Sequence, residues 1–157
     1  MDSDVLYIFS DGGYRISQNI GAWAFVMKYK NFRKESRGSI PTSTSQQCEL
    51  YAAIFALEAV KDKTKKVVFT SDSQYLVSSI NEWMPNWIKR NWRGSKGNTI
   101  ANKELWLRIY RDLQDFKDIT FVWTRGHDGN VENERCDELV NFCMDEYLEM
   151  NKLPETT

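Results

Sequence analysis

The chain has 157 residues, of which 41% are hydrophobic, 27% charged and 13% aromatic, a profile that suits one domain with a single core and excludes a disordered or fibrous chain. Lysine and arginine number 21 against 22 aspartates and glutamates, a formal net charge of −1, so bulk charge does not announce a nucleic-acid binder. No basic start leads into an apolar run and no stretch is apolar for long enough to cross a bilayer, while three cysteines without CxxC spacing, Cys48, Cys136 and Cys143, argue against a disulfide framework or zinc site and for a reducing, cytoplasmic setting.

Val5 to Ser10, rich in β-branched and aromatic residues, predicts a buried strand. Asp11-Gly12-Gly13 reads as the turn that ends it. Ile20 to Lys30 predicts a second strand, and Asn31-Phe32 a tight turn into a third, polar strand ending near Ser39; the three together suggest an antiparallel meander. Pro41 to Ser45 offers hydroxyls for a helix start, and Leu50, Ile54 and Leu57 follow at helical spacing, with Tyr51 and Phe55 widening the stripe. Lys65 to Thr70 predicts a fourth strand, followed by Ser71-Asp72-Ser73 and a short helix from Gln74 to Asn81. Residues 82–93 read as a further helix with Pro85 inside it, and Arg93 to Asn98 as a polar loop. A helix from Ala101 to Asp115, a fifth strand from Ile119 to Thr124, a loop from Arg125 to Asn130 and a last helix from Val131 to Glu149 complete the order. A meander followed by strand–helix–strand crossovers predicts an α/β fold, a five-stranded mixed sheet flanked by helices. The domain is drawn as residues 1–150, with 151–157 as a C-terminal tail.

Two acids follow predicted strands, Asp11 and Asp72, and sites in open α/β sheets form beyond the carboxyl ends of parallel neighbours. If strands one and four are such neighbours, the two converge. Glu49 lies near the start of the first long helix and Asp137 in the first turns of the last. Four carboxylates meeting at one edge would need hard divalent cations, and two such ions can activate a water and stabilise the leaving oxygen of a phosphodiester. Any one of these acids alone is more often a solvated turn residue or cap. His127, flanked by Gly126 and Gly129, reads from position alone as an exposed loop imidazole.

The run GHDGNVENERCDELV within residues 121–140 closely resembles the C-terminal motif of type 1 ribonucleases H, departing at Val140. FSDGG, CELYAAIFALEAV, TSDSQYLVSSINEW, NWIKRNW and IANKELW also match in order, so the resemblance runs from about Val5 to Cys143. It implies an endonuclease that cuts the RNA strand of an RNA·DNA hybrid, leaving 5′-phosphate and 3′-hydroxyl ends, in primer or R-loop removal. It implies two Mg²⁺ ions, with Mn²⁺ as a substitute, bridged by Asp11 and held further by Glu49, Asp72 and Asp137. Asp137 would help hold the ion that activates water, and Glu49 would also approach the ribose 2′-hydroxyl, the group that separates RNA from DNA. His127 would assist proton transfer or product release, without ligating metal.

Residues 83–111 hold Lys89, Arg90, Arg93, Lys96, Lys103, Arg108 and Arg111 against Glu104, whereas residues 128–149 hold eight acids against Arg135. The near-zero net charge hides a polarised molecule. The resemblance makes the basic segment a handle that grips the hybrid through Lys89, Arg90, Arg93 and Lys96. Trp83 and Trp87, one helical turn apart, are expected to pack, and Trp92 to meet the DNA strand. Asn19, Gln46 and Asn102 occupy places where amide side chains reach the substrate. Cys48 and Cys136 read as buried packing residues, and Glu134 as an acid supporting Asp137. A different nuclease or strand-transfer enzyme on the same fold, a hybrid-binding module without catalysis, and the nuclease domain of a larger polyprotein remain as alternatives. The intact start and short tail favour a stand-alone protein, expected to be monomeric.

Overall fold

A computed structural model describes residues 2–41, 43–126 and 129–152. Strands β1 (Val5–Arg15), β2 (Ile20–Tyr29) and β3 (Phe32–Pro41) form the meander, and β4 (Lys66–Ser71) and β5 (Asp118–Trp123) extend it in the order β3-β2-β1-β4-β5. β1 is antiparallel to β2 and parallel to β4, and β5 is parallel to β4. The helices are α1 (Ser45–Ala59), α2 (Gln74–Ser78), α3 (Met84–Lys89), α4 (Lys103–Gln114) and α5 (Val131–Met150).

The period-two alternation of β1 divides the core. Leu6 and Ile8 face one side, where Leu50, Ile54 and Leu57 of α1 and Trp106 and Ile109 of α4 close over them. Phe9 faces the other, with Ala22, Ala24 and Val26 of β2, beneath Cys136, Leu139, Val140 and Met144 of α5. Trp106 is fully buried, and its indole N–H donates to the Tyr75 hydroxyl at 3.0 Å, so the largest core side chain leaves no polar atom unpaired.

The structure corrects the expected boundaries where tertiary contact overrides local signals. Asp11-Gly12-Gly13 is not a turn: β1 runs on to Arg15, still paired with β2 through Arg15 and Ile20. Pairing with β4 stops earlier, at Ser10 and Ser71. Asp11 therefore sits at the carboxyl end of the parallel register although it lies inside a strand. β3 continues past Ser39 to Pro41 on the antiparallel ladder. The helix expected at 74–81 and the one at 82–93 join through a wide π turn, Ser79–Trp83, and end at Lys89. The wider turn precedes Pro85, whose missing N–H breaks the ordinary helical ladder. Asn91 and Trp92 then take the left-handed conformation, at φ 54° and 63°, which stops the helix before residue 93.

Candidate active site

Three elements deliver carboxylates to one edge of the sheet. Asp11 comes from β1, Asp72 from the residue after β4, and Glu49 from the first turns of α1. α1 starts where Thr44 Oγ1 accepts the Gln47 amide at 3.1 Å. Its approach to β1 depends on Gly12: a Cβ there would lie 2.5 Å from the Glu49 nitrogen and 2.6 Å from the Cys48 carbonyl oxygen. The absence of a side chain thus lets helix and strand backbones touch and brings Glu49 beside Asp11. Asp72 is fixed by its neighbours: Trp123 Nε1 donates to its carbonyl at 3.0 Å, and Ser73 Oγ caps α2 by accepting the Leu76 amide at 3.1 Å.

Each of Asp11, Glu49 and Asp72 offers an oxygen, and these oxygens lie within 4.8 Å of one another. Asp137, in the second turn of α5, lines the same cleft with Gln46, Ser73, Gln74 and Tyr75. The site is short of positive charge. Burial, reinforced by the charges of Asp72 and Asp137, pushes the Asp11 carboxyl up to about 8. Burial, with Asp11 and Asp72 beside it, likewise raises Glu49 well above the carboxylate range, and burial raises Asp72. Glu49 Oε2 is buried with no hydrogen-bond partner among the described residues. An all-oxygen donor set, crowded carboxylates that resist ionising together and an orphaned carboxylate oxygen fit a hard divalent cation.

One contributor is absent from the sequence-based expectations. Asn133, 3% exposed, stands beside Asp72, and its side-chain amide partly offsets the rise in that carboxyl. Its place in ENERCDEL was visible, but its inward direction follows from how α5 lies on the sheet; Asn130 Oδ1, which accepts the Asn133 amide at 3.0 Å, fixes where the helix begins. Glu134, expected to support Asp137, is half-buried, while the buried acid of this turn is Glu132. His127 lies outside the described residues.

The expected substrate-contacting residues fall into two groups. Lys89, Arg90, Arg93 and Lys96 are exposed on a handle whose tip is braced by Gly94 N donating to Asn98 O at 2.8 Å and by the Arg93–Thr99 bridge. Gln46 is exposed at the cleft, and Asn19 is exposed beyond β1 with its side-chain oxygen accepting from the Tyr14 hydroxyl. Asn102 instead serves the interior: it donates to Tyr75 Oη at 3.2 Å and accepts from Gln47 Nε2 at 3.4 Å, linking α4 to α2 and α1. The tryptophans differ in exposure, and Trp87 packs against the core as expected. Trp92 is half-buried against Trp87 and Tyr110, drawn in by its amide, which donates to the Trp87 carbonyl at 2.6 Å. Trp83, expected to pack, is 48% exposed. Cys48 and Cys136 are fully buried, as expected, and burial raises both thiols.

Comparison with known proteins agrees with this geometry. The family model described as RNase H matches residues 3–144. A ribonuclease H of Hydrogenovibrio crunogenus is 41% identical over 139 residues, covering 88% of this chain and 94% of its own. A ribonuclease H of Coxiella burnetii is 37% identical over 147 residues, 94% of each. The crystal structure of LC9-RNase H1, a type 1 RNase H with the type 2 active-site motif, shares the fold with a TM-score of 0.78 at 24% identity, over 93% of this chain and 74% of that one. No described helix is long and apolar enough to cross a membrane. With a match over nearly its whole length, the expected five-stranded mixed sheet and an acidic cleft where the parallel pairing of β1 with β4 ends, the chain belongs to the ribonuclease H family.

Proposed function

We propose that the chain hydrolyses the RNA strand of RNA·DNA hybrids with two divalent metal ions, leaving 5′-phosphate and 3′-hydroxyl ends, in primer or R-loop removal in the cytoplasm. The observation that carries this reading is the meeting of Asp11, Glu49 and Asp72 from three separate elements, with a buried Glu49 oxygen that has no described partner. Asp11, the most central acid, would hold the ions together with Glu49, Asp72 and Asp137, with Mg²⁺ the expected ion and Mn²⁺ a substitute. When bound, the ions supply a water activated for in-line attack and neutralise charge on the leaving oxygen.

The chain's own residues do the rest. Asn133, beside Asp72, would steady it once a metal is bound, the role that outer partners of a ligand generally play. Glu49 would also meet a ribose 2′-hydroxyl, so a DNA strand would lose a contact there. Lys89, Arg90, Arg93 and Lys96 neutralise phosphates of the DNA strand, with Trp83 as the exposed aromatic of that face and Trp92 as its internal brace. Gln46 and Asn19 reach the minor groove, and Asn102 orients the groups around Tyr75. His127 moves a proton or eases product release. The protein acts as a monomer.

End analysis tests this reading. Hybrids with RNA labelled at either end are digested in Mg²⁺ and the fragments offered to a 5′-phosphate-dependent ligase. Ligatable fragments from the hybrid, with the DNA strand intact, are expected. Cyclic phosphate or 3′-phosphate ends, or equal cutting of duplex DNA, would overturn it.

A further inference from the structure

The first turns of α5 present two faces. Asn133 and Asp137, four residues apart, share one face: Asp137 lines the cleft and Asn133 stands beside Asp72. Glu132 and Cys136, also four apart, share the neighbouring face, which is buried against the sheet. A helix turns as one body about its axis, so whatever fixes Glu132 also fixes where Asn133 and Asp137 point.

Glu132 is a charged side chain only 7% exposed, and the cations that meet it come from two strands. Arg33 of β3 donates from Nε at 3.1 Å and from Nη2 at 2.9 Å, and Lys28 Nζ of β2 stands at 3.3 Å. Arg33 Nη2 also reaches Glu35 at 2.8 Å. Glu35 in turn receives Arg135 of α5, from Nε at 2.8 Å and Nη2 at 3.2 Å, and Arg135 Nη1 closes on Glu138 at 2.9 Å. β3 thus grips α5 at two points, Glu132 and Arg135, through two-pronged guanidinium–carboxylate pairs, which fix angle as well as distance. A buried carboxylate stripped of its cations is costly, so Glu132 follows Arg33, its two-pronged partner, together with Lys28. None of these charged groups lines the cleft.

We infer that Arg33 and Glu35 are positioning residues for the metal site: by pairing with Glu132 and Arg135 they set the rotation of α5 that brings Asn133 and Asp137 to the cleft. The inference rests on the proposed roles of Asp11, Glu49, Asp72 and Asp137. A built-in control exists. Arg37 of β3 pairs with Glu146 of α5 at 2.5 Å, an ion pair between the same two elements but more than two turns beyond Asp137.

The experiment measures Mg²⁺ binding to the metal-free protein by calorimetry, and kcat and KM on an RNA·DNA hybrid, for the wild type, Arg33→Ala, Arg33→Lys, Glu35→Gln and Arg37→Ala, all below their melting temperatures. Arg33→Ala is expected to weaken Mg²⁺ binding and lower kcat by about tenfold each, the size usual for partners of metal ligands, with KM unchanged. Arg33→Lys recovers part of the loss, because it keeps the charge without the fork. Arg37→Ala keeps wild-type Mg²⁺ affinity and kcat. Should Arg33→Ala not fold, Glu35→Gln carries the same expectation at smaller size, since it frees Arg135 and leaves Glu132 paired. Arg33→Ala and Glu35→Gln with wild-type Mg²⁺ affinity and kcat and only a lower melting temperature would reduce the clamp to ordinary packing and overturn the inference. An equal loss in Arg37→Ala would overturn it too. A wild type that neither binds Mg²⁺ nor cuts hybrid would instead bring down the catalytic reading, and the inference with it.

Discussion

Replacing Asp11 with asparagine should make the metal-free protein more stable at neutral pH, and the gain should vanish in acid. Asp11 is 6% exposed, and its carboxyl is raised from 3.8 to about 8, first by burial and then by the charges of Asp72 and Asp137. A group whose folded value lies above its unfolded value favours folding while it holds its proton. The full stability is therefore present below about pH 4 and is lost progressively as pH rises toward 8. At 1.36 kcal/mol per pH unit, a rise of this size sets a ceiling of about 6 kcal/mol. Asparagine fills the same space without the charge, but Glu49 and Asp72 stay and repel each other, and Glu49 ionises more readily once its neighbour is neutral. A net gain of about 2 kcal/mol at pH 8 and nearly none at pH 4 follows, which corresponds to roughly 4–8 °C in Tm for a domain of this size. Thermal melts in EDTA from pH 4 to 8 read it directly. Saturating Mg²⁺ should shrink the difference, because the wild type then gains stability by binding. A gain that does not change with pH, or an asparagine variant less stable than the wild type at pH 8, would refute the claim that crowded, buried carboxylates dominate this site.

The other predictions concern catalysis, packing and substrate grip. Glu49→Gln should lower hybrid cleavage by at least about a hundredfold in steady-state assays while raising metal-free stability in the same sense as Asp11→Asn; near-normal cleavage would remove Glu49 from the ligand set. Gly12→Ala should cost about 1–3 kcal/mol in urea unfolding, as overpacking does, and should weaken Mg²⁺ binding by lifting α1 from β1; wild-type values of both would contradict the close approach. Arg93→Ala with Lys96→Ala should raise KM, leave kcat unchanged and flatten the log Kd–log salt slope by about two; an unaltered slope would place the phosphate contacts elsewhere.

The order of strands and helices could be read from hydrophobic period and turn residues, because each element has one buried face. What could not be read depended on contacts between elements distant in sequence. Asp11-Gly12-Gly13 has the composition of a turn, yet the glycines are there so that α1 and α5 can approach the strand: added Cβ atoms would meet the Cys48 and Glu49 backbone at Gly12 and the Val140 side chain at Gly13. Asp11, Glu49 and Asp72 could be nominated from their places after strands and near a helix start, and the parallel pairing of β1 with β4 then brings Asp11 and Asp72 together. Asn133 escaped because nothing local tells which polar residue of the turn faces inward; the packing of α5 on the sheet decides it. The tryptophans misled for a similar reason. Spacing of one turn placed Trp83 and Trp87 on one helical face, but only Trp87 packs against the core and Trp83 stays 48% exposed, while the left-handed pair Asn91-Trp92 folds Trp92 back against Trp87.

The central claim is that the cluster of Asp11, Glu49, Asp72 and Asp137 cuts RNA only when it is paired with DNA and only with a divalent ion. The most direct test is cleavage of a labelled RNA·DNA hybrid in Mg²⁺ beside matched RNA·RNA and DNA·DNA duplexes, with EDTA and Asp72→Asn as controls. Cutting of the hybrid alone is expected, lost in EDTA and in Asp72→Asn while hybrid binding persists. Undiminished cutting by Asp72→Asn, or a wild type that binds the hybrid and leaves it intact, would contradict it.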